Sequence, residues 1–100
     1  MTLKELFSGI ENIQITGDMS REVLSIERDS RICKSGSLYV AIKGNTYDGH
    51  DYINEAIANG AIAILASSQF NEDKTVAQII VPNTDVILGL VASKFYGNPA

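Results

Sequence analysis

The chain of 100 residues is poor in several residue types that would indicate a particular class of protein. Its single cysteine, Cys33, excludes an internal disulfide, which is typical of a protein from a reducing compartment. One histidine and one cysteine are too few for a zinc cluster of the usual kind. Eight basic residues stand against twelve acidic ones, and the net charge of −4 argues against a nucleic acid as partner.

Long apolar runs are missing as well. No stretch is apolar enough to cross a bilayer, and the N-terminal segment is too short and too charged for a signal peptide. We therefore expect a cytoplasmic protein without a membrane partner. The chain also lacks Gly-x-x-x-x-Gly-Lys-Ser/Thr and Gly-x-Gly-x-x-Gly, so it contains neither a phosphate loop for ATP nor a dinucleotide fingerprint.

What is present is the composition and periodicity of one globular domain, with 45% apolar and 20% charged residues. Apolar runs predict strands at residues 13–17, 23–26, 38–42, 61–66 and 77–81. Helical spacing predicts a helix near the N-terminus, one from about Asp48 to a stop at Asn59-Gly60, and a last one capped by Asn83 or Thr84. The core face of that last helix is predicted to contain Ile87, Leu90, Val91 and Phe95.

Buried strands alternate with helices in the second half, which predicts the α/β class. We expect a small mixed, largely parallel sheet flanked by two to three helices in a single domain.

Two acidic residues, Asp48 and Asp51, lie three positions apart at the start of the second predicted helix. They are candidates for an acid–base pair, but the spacing is that of a capping box with Asp in place of Glu, which is the more common use. His50, between them, is predicted to be a helix-start residue. No catalytic residue and no metal ligand is predicted in this chain.

Two polar segments follow predicted strands, at the sheet edge where α/β proteins bind ligands. In the first, the hydroxyl of Ser30 can bond a ligand carbonyl, or Asp29 and Ser30 can bond their own backbone in a turn, which the residues alone favour. The basic residues that flank Ser30 either belong to a solvated turn or form a positive spot that binds an anion. The second segment is a plain connection or a ligand loop in which Tyr47 stacks on a flat ring. Its members are Asn45, Thr46 and Tyr47.

Four motifs follow one another along the chain: Asp29-Ser30-Arg31, the stretch 36–44, Asp48-Gly49-His50 and the ending 95–99. This ordered set resembles the N-terminal domain of the Mur ligases, and the resemblance extends over essentially the whole chain. The Phe-Tyr-Gly-Asn-Pro ending favours the family member that adds the third amino acid of the peptidoglycan stem peptide. The member that adds the terminal dipeptide carries similar Asp-Ser-Arg and Asp-Gly-His patterns.

The resemblance implies a domain over residues 1–96 and, at 97–100, the start of a linker to a central ATP-binding domain outside this chain. It implies a parent enzyme that joins an amino acid to UDP-N-acetylmuramoyl-L-Ala-D-Glu through an acyl phosphate. ATP and Mg would bind in the parent's other domains, which are the expected partners. No cofactor is expected here, and the chain alone is expected to be inactive.

The resemblance also implies the residues that anchor the UDP part of the substrate. Ser30 is the uracil-contacting serine, and Asn45, Thr46 and Tyr47 form the second uridine-contacting segment. Arg28, Asp29 and Arg31 are secondary candidates, and Arg28 stands where the family more often has a small or apolar residue.

Two functions of other classes stay open. One is a non-catalytic protein-interaction module that presents the Asp29–Ser30 turn and the Tyr47 loop. The other is a small thiol enzyme that uses Cys33 and His50.

Overall fold

The computed structural model describes residues 1–44, 46–68 and 75–97, which form a five-stranded sheet in the order β1-β5-β4-β3-β2. The elements in chain order are α1 (Leu3–Phe7), β1 (Gln14–Thr16), β2 (Ser25–Glu27), a 3-10 helix (Ser30–Ile32), β3 (Ser37–Val40), a second 3-10 helix (Gly49–Tyr52), α2 (Ile53–Ala58), β4 (Ala63–Ala66), β5 (Ala77–Ile80) and α3 (Thr84–Phe95). The strands β2 to β5 are parallel, and only β1 pairs antiparallel, with β5. The predicted α/β class with a mixed, largely parallel sheet is thus confirmed.

The sheet is covered on both faces because alternate residues of the inner strands enter different cores. Leu38 and Val40 of β3 pack with residues of α1 and α3, such as Leu6 and Val91. The intervening Tyr39 packs on the opposite face, in a cluster that contains Ile53 and Ala56 of α2. Every residue of β3 and β4 is buried, which explains their continuous apolar runs.

The helix ends agree with local sequence signals. Asn83 caps α3 by accepting the backbone N–H groups of Asp85 and Val86, as predicted. Thr2 and Glu5 form a complete capping box on α1, a signature that the sequence carries in Thr-x-x-Glu form. At the other end of α1, the Lys94 ammonium donates to the carbonyls of Glu5 and Ser8 at 2.9 and 2.7 Å.

One core prediction is wrong. Leu90 is 53% exposed, although Ile87 and Val91 are buried. The buried face of α3 contains positions 84, 87 and 91, with Phe95 partly buried. Leu90 lies beside this face, so its side chain points away from the sheet. Leu90 lines a shallow surface groove against Ile10 instead.

Two glycines provide a matched test of this fold. Gly60 follows α2 with φ +114°, and a Cβ there would lie 2.6 Å from the Ser35 nitrogen, a backbone atom that cannot move freely. We expect Gly60→Ala to destabilise the domain by about 2–4 kcal/mol, through backbone strain and overpacking. Gly89 is exposed in α3, and a Cβ added there would meet nothing within 4 Å, so Gly89→Ala should stabilise the domain by roughly 0.5–1 kcal/mol.

Urea unfolding of both variants measures these effects. Equal midpoints for Gly60→Ala and Gly89→Ala would contradict the close approach of the α2 terminus to the 34–35 backbone.

Candidate functional site

A groove of about 750 Å³ lies beyond the carboxyl ends of β2 and β3. One wall is the end of β2 with the turn that follows it, and the other comes from the loop and helices after β3. The lining residues are Ile26, Glu27, Arg28, Asp29, Ser30, Arg31, Ile32, Tyr47, Tyr52 and Glu55. Because parallel strands end at the same edge, the two polar segments singled out in the sequence meet here, as ligand loops do in α/β folds.

The first wall is a tightly bonded turn. The Asp29 carboxylate caps the 3-10 helix by accepting the Arg31 backbone N–H at 2.9 Å, and it accepts Nε and Nη2 of the same arginine at 3.0 and 2.8 Å. Those bonds lower the pKa of Asp29 to about 2, and the side-chain bonds from Arg31 have the largest effect. They raise the pKa of Arg31, with smaller contributions of the same sign from Tyr47 and Glu55. The Asp29 part of the turn expected from Asp-Ser chemistry is therefore present in the groove wall, whereas the Ser30 hydroxyl bonds the Glu55 side chain and not the local backbone.

Ser30 is the most buried member of the lining, with 1% of its surface exposed. Its hydroxyl donates to Oε1 of Glu55 at 2.5 Å, and its carbonyl accepts from Nδ2 of Asn59 at 2.9 Å. The only hydrogen of the hydroxyl is therefore already used, so a bond donated to a ligand carbonyl would require Glu55 to release it. Sequence reasoning missed Glu55 and Asn59. Their spacing of four, which places them on one face of the helix region, was the available signal.

The opposite wall is aromatic. The rings of Tyr47 and Tyr52 are stacked, with centroids 5.0 Å apart and planes inclined by 10°. They are 44% and 40% exposed, so much of this flat surface remains open to the groove. Tyr52 was not singled out from the sequence, where it reads as one more helix residue. Thr46 is exposed beside this wall without lining the groove, and Asn45 lies outside the described residues.

A bonded frame holds the aromatic wall in place. Asp48 is the N-cap of the second 3-10 helix and accepts the His50 backbone N–H at 3.0 Å. The expected capping box with Asp51 is not formed, because the Asp51 backbone N–H donates to the Asp48 carbonyl at 3.1 Å and the Asp48 side chain accepts from His50 instead. Asp51 lies in the first turn. Behind this helix, the Tyr39 hydroxyl donates to the Gly49 carbonyl at 2.8 Å.

His50 connects two of the loops at this sheet edge. Its Nε2 accepts the Ser67 backbone N–H at 3.1 Å, and its Nδ1 lies 2.7 Å from the Asp48 carboxylate. A nitrogen that accepts an N–H carries no proton, so the ring proton sits on Nδ1 and is donated to Asp48. The histidine is thus a structural link between the β3 and β4 loops.

The groove carries both signs of charge. Arg31 is neutralised by Asp29, and the lining residue Glu27 pairs at 3.6 Å with Lys34, which is not part of the lining. Arg28 is exposed and makes no ion pair within the described part of the chain. The arrangement suits a ligand that combines a flat ring with an anionic group.

The thiol arrangement has no geometric support. Cys33 is buried with its Sγ near the Asp29 carbonyl at 3.7 Å, whereas His50 bonds Asp48 and Ser67. Burial raises the pKa of the Cys33 thiol to about 11, and the nearby carboxylates add a smaller effect in the same direction.

Neither a metal site nor a membrane span is found in residues 1–44, 46–68 and 75–97. Within these ranges, no three His, Cys, Asp or Glu side chains come together as a metal site would require. None of the helices in the same ranges has the length and apolarity needed to span a bilayer.

Known proteins similar to this chain share its groove-bearing region. The family model described as "Mur ligase family, catalytic domain" matches residues 22–96. A Bacteroides thetaiotaomicron UDP-N-acetylmuramoyl-L-alanyl-D-glutamate--2,6-diaminopimelate ligase is 39% identical over 100 residues, which are 99% of this chain and 21% of that protein. The Chlamydia pneumoniae protein of the same name is 43% identical over 101 residues, covering 100% of this chain and 20% of the relative.

Solved structures agree with this match. The Acinetobacter baumannii UDP-N-acetylmuramoylalanyl-D-glutamyl-2,6-diaminopimelate--D-alanyl-D-alanyl ligase superposes with a TM-score of 0.72 at 27% identity, over 89% of this chain and 20% of that one. The Thermotoga maritima MurF ligase in complex with ADP gives a TM-score of 0.61 at 33% identity, over 78% and 17%.

The chain spans about a fifth of the length of the curated relatives it matches. Since the family model covers most of the chain and the relatives align along all or nearly all of it, this protein belongs to the Mur ligase family.

Proposed function

We propose that this chain is the N-terminal, substrate-anchoring domain of an ATP-dependent peptidoglycan-precursor ligase. Its role is to hold the UDP part of UDP-N-acetylmuramoyl-L-Ala-D-Glu while the parent enzyme adds the third amino acid. The observation that carries the proposal is the groove, which joins the Asp29-Ser30-Arg31 turn to the Tyr47 wall. The names of the relatives, ligases of UDP-N-acetylmuramoyl-L-alanyl-D-glutamate and 2,6-diaminopimelate, support the same substrate.

The lining residues divide the groove into regions that suit the parts of a uridine nucleotide. A flat base fits against the Tyr47–Tyr52 stack, and its polar edge meets the buried Ser30. The exposed Arg28 supplies a cation toward the pyrophosphate. Asn45 and Thr46 belong to the same loop as Tyr47 and enter the proposal as members of that segment, with Asp29 and Arg31 shaping the opposite wall.

The residues of this chain do not fit ATP or Mg. The sequence has no phosphate loop, and the described residues bring no carboxylate cluster together. The proposal therefore assigns ATP, Mg and the bond-forming step to the parent's central and C-terminal domains, with residues 97–100 as the start of the linker. It places the reaction in the cytoplasm and leaves this domain with binding alone.

The ligase that adds the terminal dipeptide is the second candidate. The observation in its favour is the superposition with the Acinetobacter baumannii enzyme of that activity. The sequence identity is lower there, 27% against 39% and 43% for the ligases that add the third residue, so the third-residue ligase is preferred.

The first prediction concerns UDP. The isolated chain should bind UDP with a dissociation constant of about 1 mM or weaker, equivalent to only ~4 kcal/mol, because the rest of the substrate is expected to contact other domains. Amide-shift titration should move the signals of Ser30, Tyr47 and Tyr52. A parallel titration with Mg-ATP should not produce micromolar binding, since no phosphate loop is present.

One result would contradict the proposal. If UDP at high concentration leaves the amide signals of the groove unmoved while another protein shifts them, the interaction-module hypothesis is supported and the uridine site is contradicted.

A second prediction concerns Ser30 in the full-length ligase. Ser30→Ala should raise KM for the UDP substrate from a few-fold to about tenfold and leave kcat nearly unchanged. The base lies away from the bond being made, so its contacts stabilise ground and transition states alike, and one hydrogen bond contributes roughly 0.5–1.5 kcal/mol. Ser68→Ala, at an exposed serine outside the groove, is the matched control. A lower melting temperature with an unchanged KM would show that Ser30 only stabilises the turn.

A third prediction tests the thiol hypothesis. Because the pKa of Cys33 is raised to about 11, its thiolate fraction stays small until the pH approaches that value. Alkylation by iodoacetamide at pH 8 should be roughly a hundredfold slower in the folded chain than in the urea-unfolded chain. Comparable rates in the two states would show that Cys33 is a reactive thiol after all.

A further inference from the structure

The polar turn after β2 provides much of one groove wall, and its own bonds give it its shape. The Ile32 backbone N–H donates to the Asp29 carbonyl at 3.1 Å, and the Cys33 N–H donates to the Ser30 carbonyl at 3.4 Å. The Asp29 carboxylate accepts from the backbone and the side chain of Arg31. All of these bonds are local, so they do not fix the place of the turn relative to the rest of the domain.

Two hydrogen bonds from α2 and its C-cap attach the turn, and both end on Ser30. Oε1 of Glu55 accepts the Ser30 hydroxyl at 2.5 Å, and Nδ2 of Asn59 donates to the Ser30 carbonyl at 2.9 Å. Within the described part of the chain, no other hydrogen bond joins residues 29–32 to a separate helix or strand. Apart from the packing of Cys33 in the second core cluster, Ser30 is therefore the point at which the turn is held.

The two bonds respond differently to a ligand. Glu55 is exposed and lines the groove, and it accepts the one hydrogen that the Ser30 hydroxyl can donate. A ligand carbonyl that takes this hydrogen displaces Glu55, and one of the two attachments of the turn is then lost. Asn59 does not line the groove, and its bond to the Ser30 carbonyl is compatible with either partner of the hydroxyl.

We propose that Asn59 is a positioning residue that holds Ser30 by its carbonyl while the hydroxyl exchanges Glu55 for a ligand. Asn59 acts through Ser30 and contacts no ligand itself. Without this bond the turn is looser, and its ordering on binding costs affinity. This inference rests on the proposed nucleotide function of the groove and adds the residue that keeps its serine in place.

Two asparagines of the same helix region provide a matched test. Asn59→Ala removes the amide that donates to Ser30. Asn54→Ala is the control, since Asn54 is exposed in α2, its side chain has no hydrogen-bond partner among the described residues, and it lies outside the groove lining. Both substitutions leave the charge unchanged, so neither alters the attraction of the protein for the anionic UDP.

Amide-shift titrations of the 100-residue chain with UDP measure the effect. Asn59→Ala should bind UDP about three- to tenfold more weakly than the wild type, because one hydrogen bond that holds the turn is lost. Asn54→Ala should bind UDP as the wild type does. Since Asn59 is exposed, its variants should fold, and melting curves check this. A lower melting temperature in Asn59→Ala with an unchanged UDP affinity would show a purely structural role and overturn the proposal.

Asn59→Gln provides a rescue. Its amide offers the same donor on a stem that is one methylene longer, and the exposed position leaves room for the longer side chain. We expect UDP to bind this variant within about twofold of the wild-type affinity, because the bond to the Ser30 carbonyl can form again.

A double-mutant cycle with Ser30→Ala tests whether Asn59 acts through the serine. Once the hydroxyl is absent, its position no longer matters, so Asn59→Ala should weaken UDP binding by less than about twofold in the Ser30→Ala background. If the losses of the two single variants multiply instead, Asn59 acts on the groove by another route and the proposal is overturned.

Failure of this inference can be separated from failure of the proposed function. If UDP shifts the groove signals of the wild type and binds Asn59→Ala equally well, the role of Asn59 is overturned while the nucleotide site stands. If UDP shifts no groove signal in the wild type, both are overturned.

Discussion

The burial of β3 and β4 on both faces is the constraint on which the other elements depend. Alternate residues of one strand need two separate apolar partners, because successive side chains point to opposite faces. Helices α1 and α3 meet Leu38 and Val40, and α2 meets Tyr39. Once α2 is held over the second face, its outer surface and the turn after β2 are brought together, and the groove is the space between them.

Three contacts hold the walls of that groove in place. Asn59 holds the Ser30 carbonyl, Gly60 allows the helix terminus to approach residues 34–35 closely, and Tyr39 holds the Gly49 carbonyl from behind. Each contact joins a loop to an element of the core. Polar side chains in these loops can therefore be presented with little further loss of conformational freedom on binding, which suits the proposed substrate-anchoring role.

Much of the fold could be predicted from the sequence because its signals are local. Apolar runs located the strands to within two residues at each end, and Asn83 and Asn59-Gly60 marked helix ends by capping chemistry. Leu90 was misplaced because periodicity specifies a stripe but not its rotation against a sheet. The Ser30–Glu55 bond joins residues 25 apart, and only the packing of α2 across the turn brings them into contact. The polar turn and the helix were each visible in the sequence, whereas their contact was not.

The groove is also confined to a short part of the chain. All its lining residues fall between Ile26 and Glu55, within one strand–turn–strand–helix unit, while β1, β5 and α3 lie outside it. Closing a loop of this length costs somewhat less chain entropy than pairing the distant strands β1 and β5. The walls of the groove can therefore assemble as a local folding unit, whereas the antiparallel β1 and the closing helix α3 complete the core around it. Substitutions in those outer elements would be felt at the groove through global stability more than through its shape.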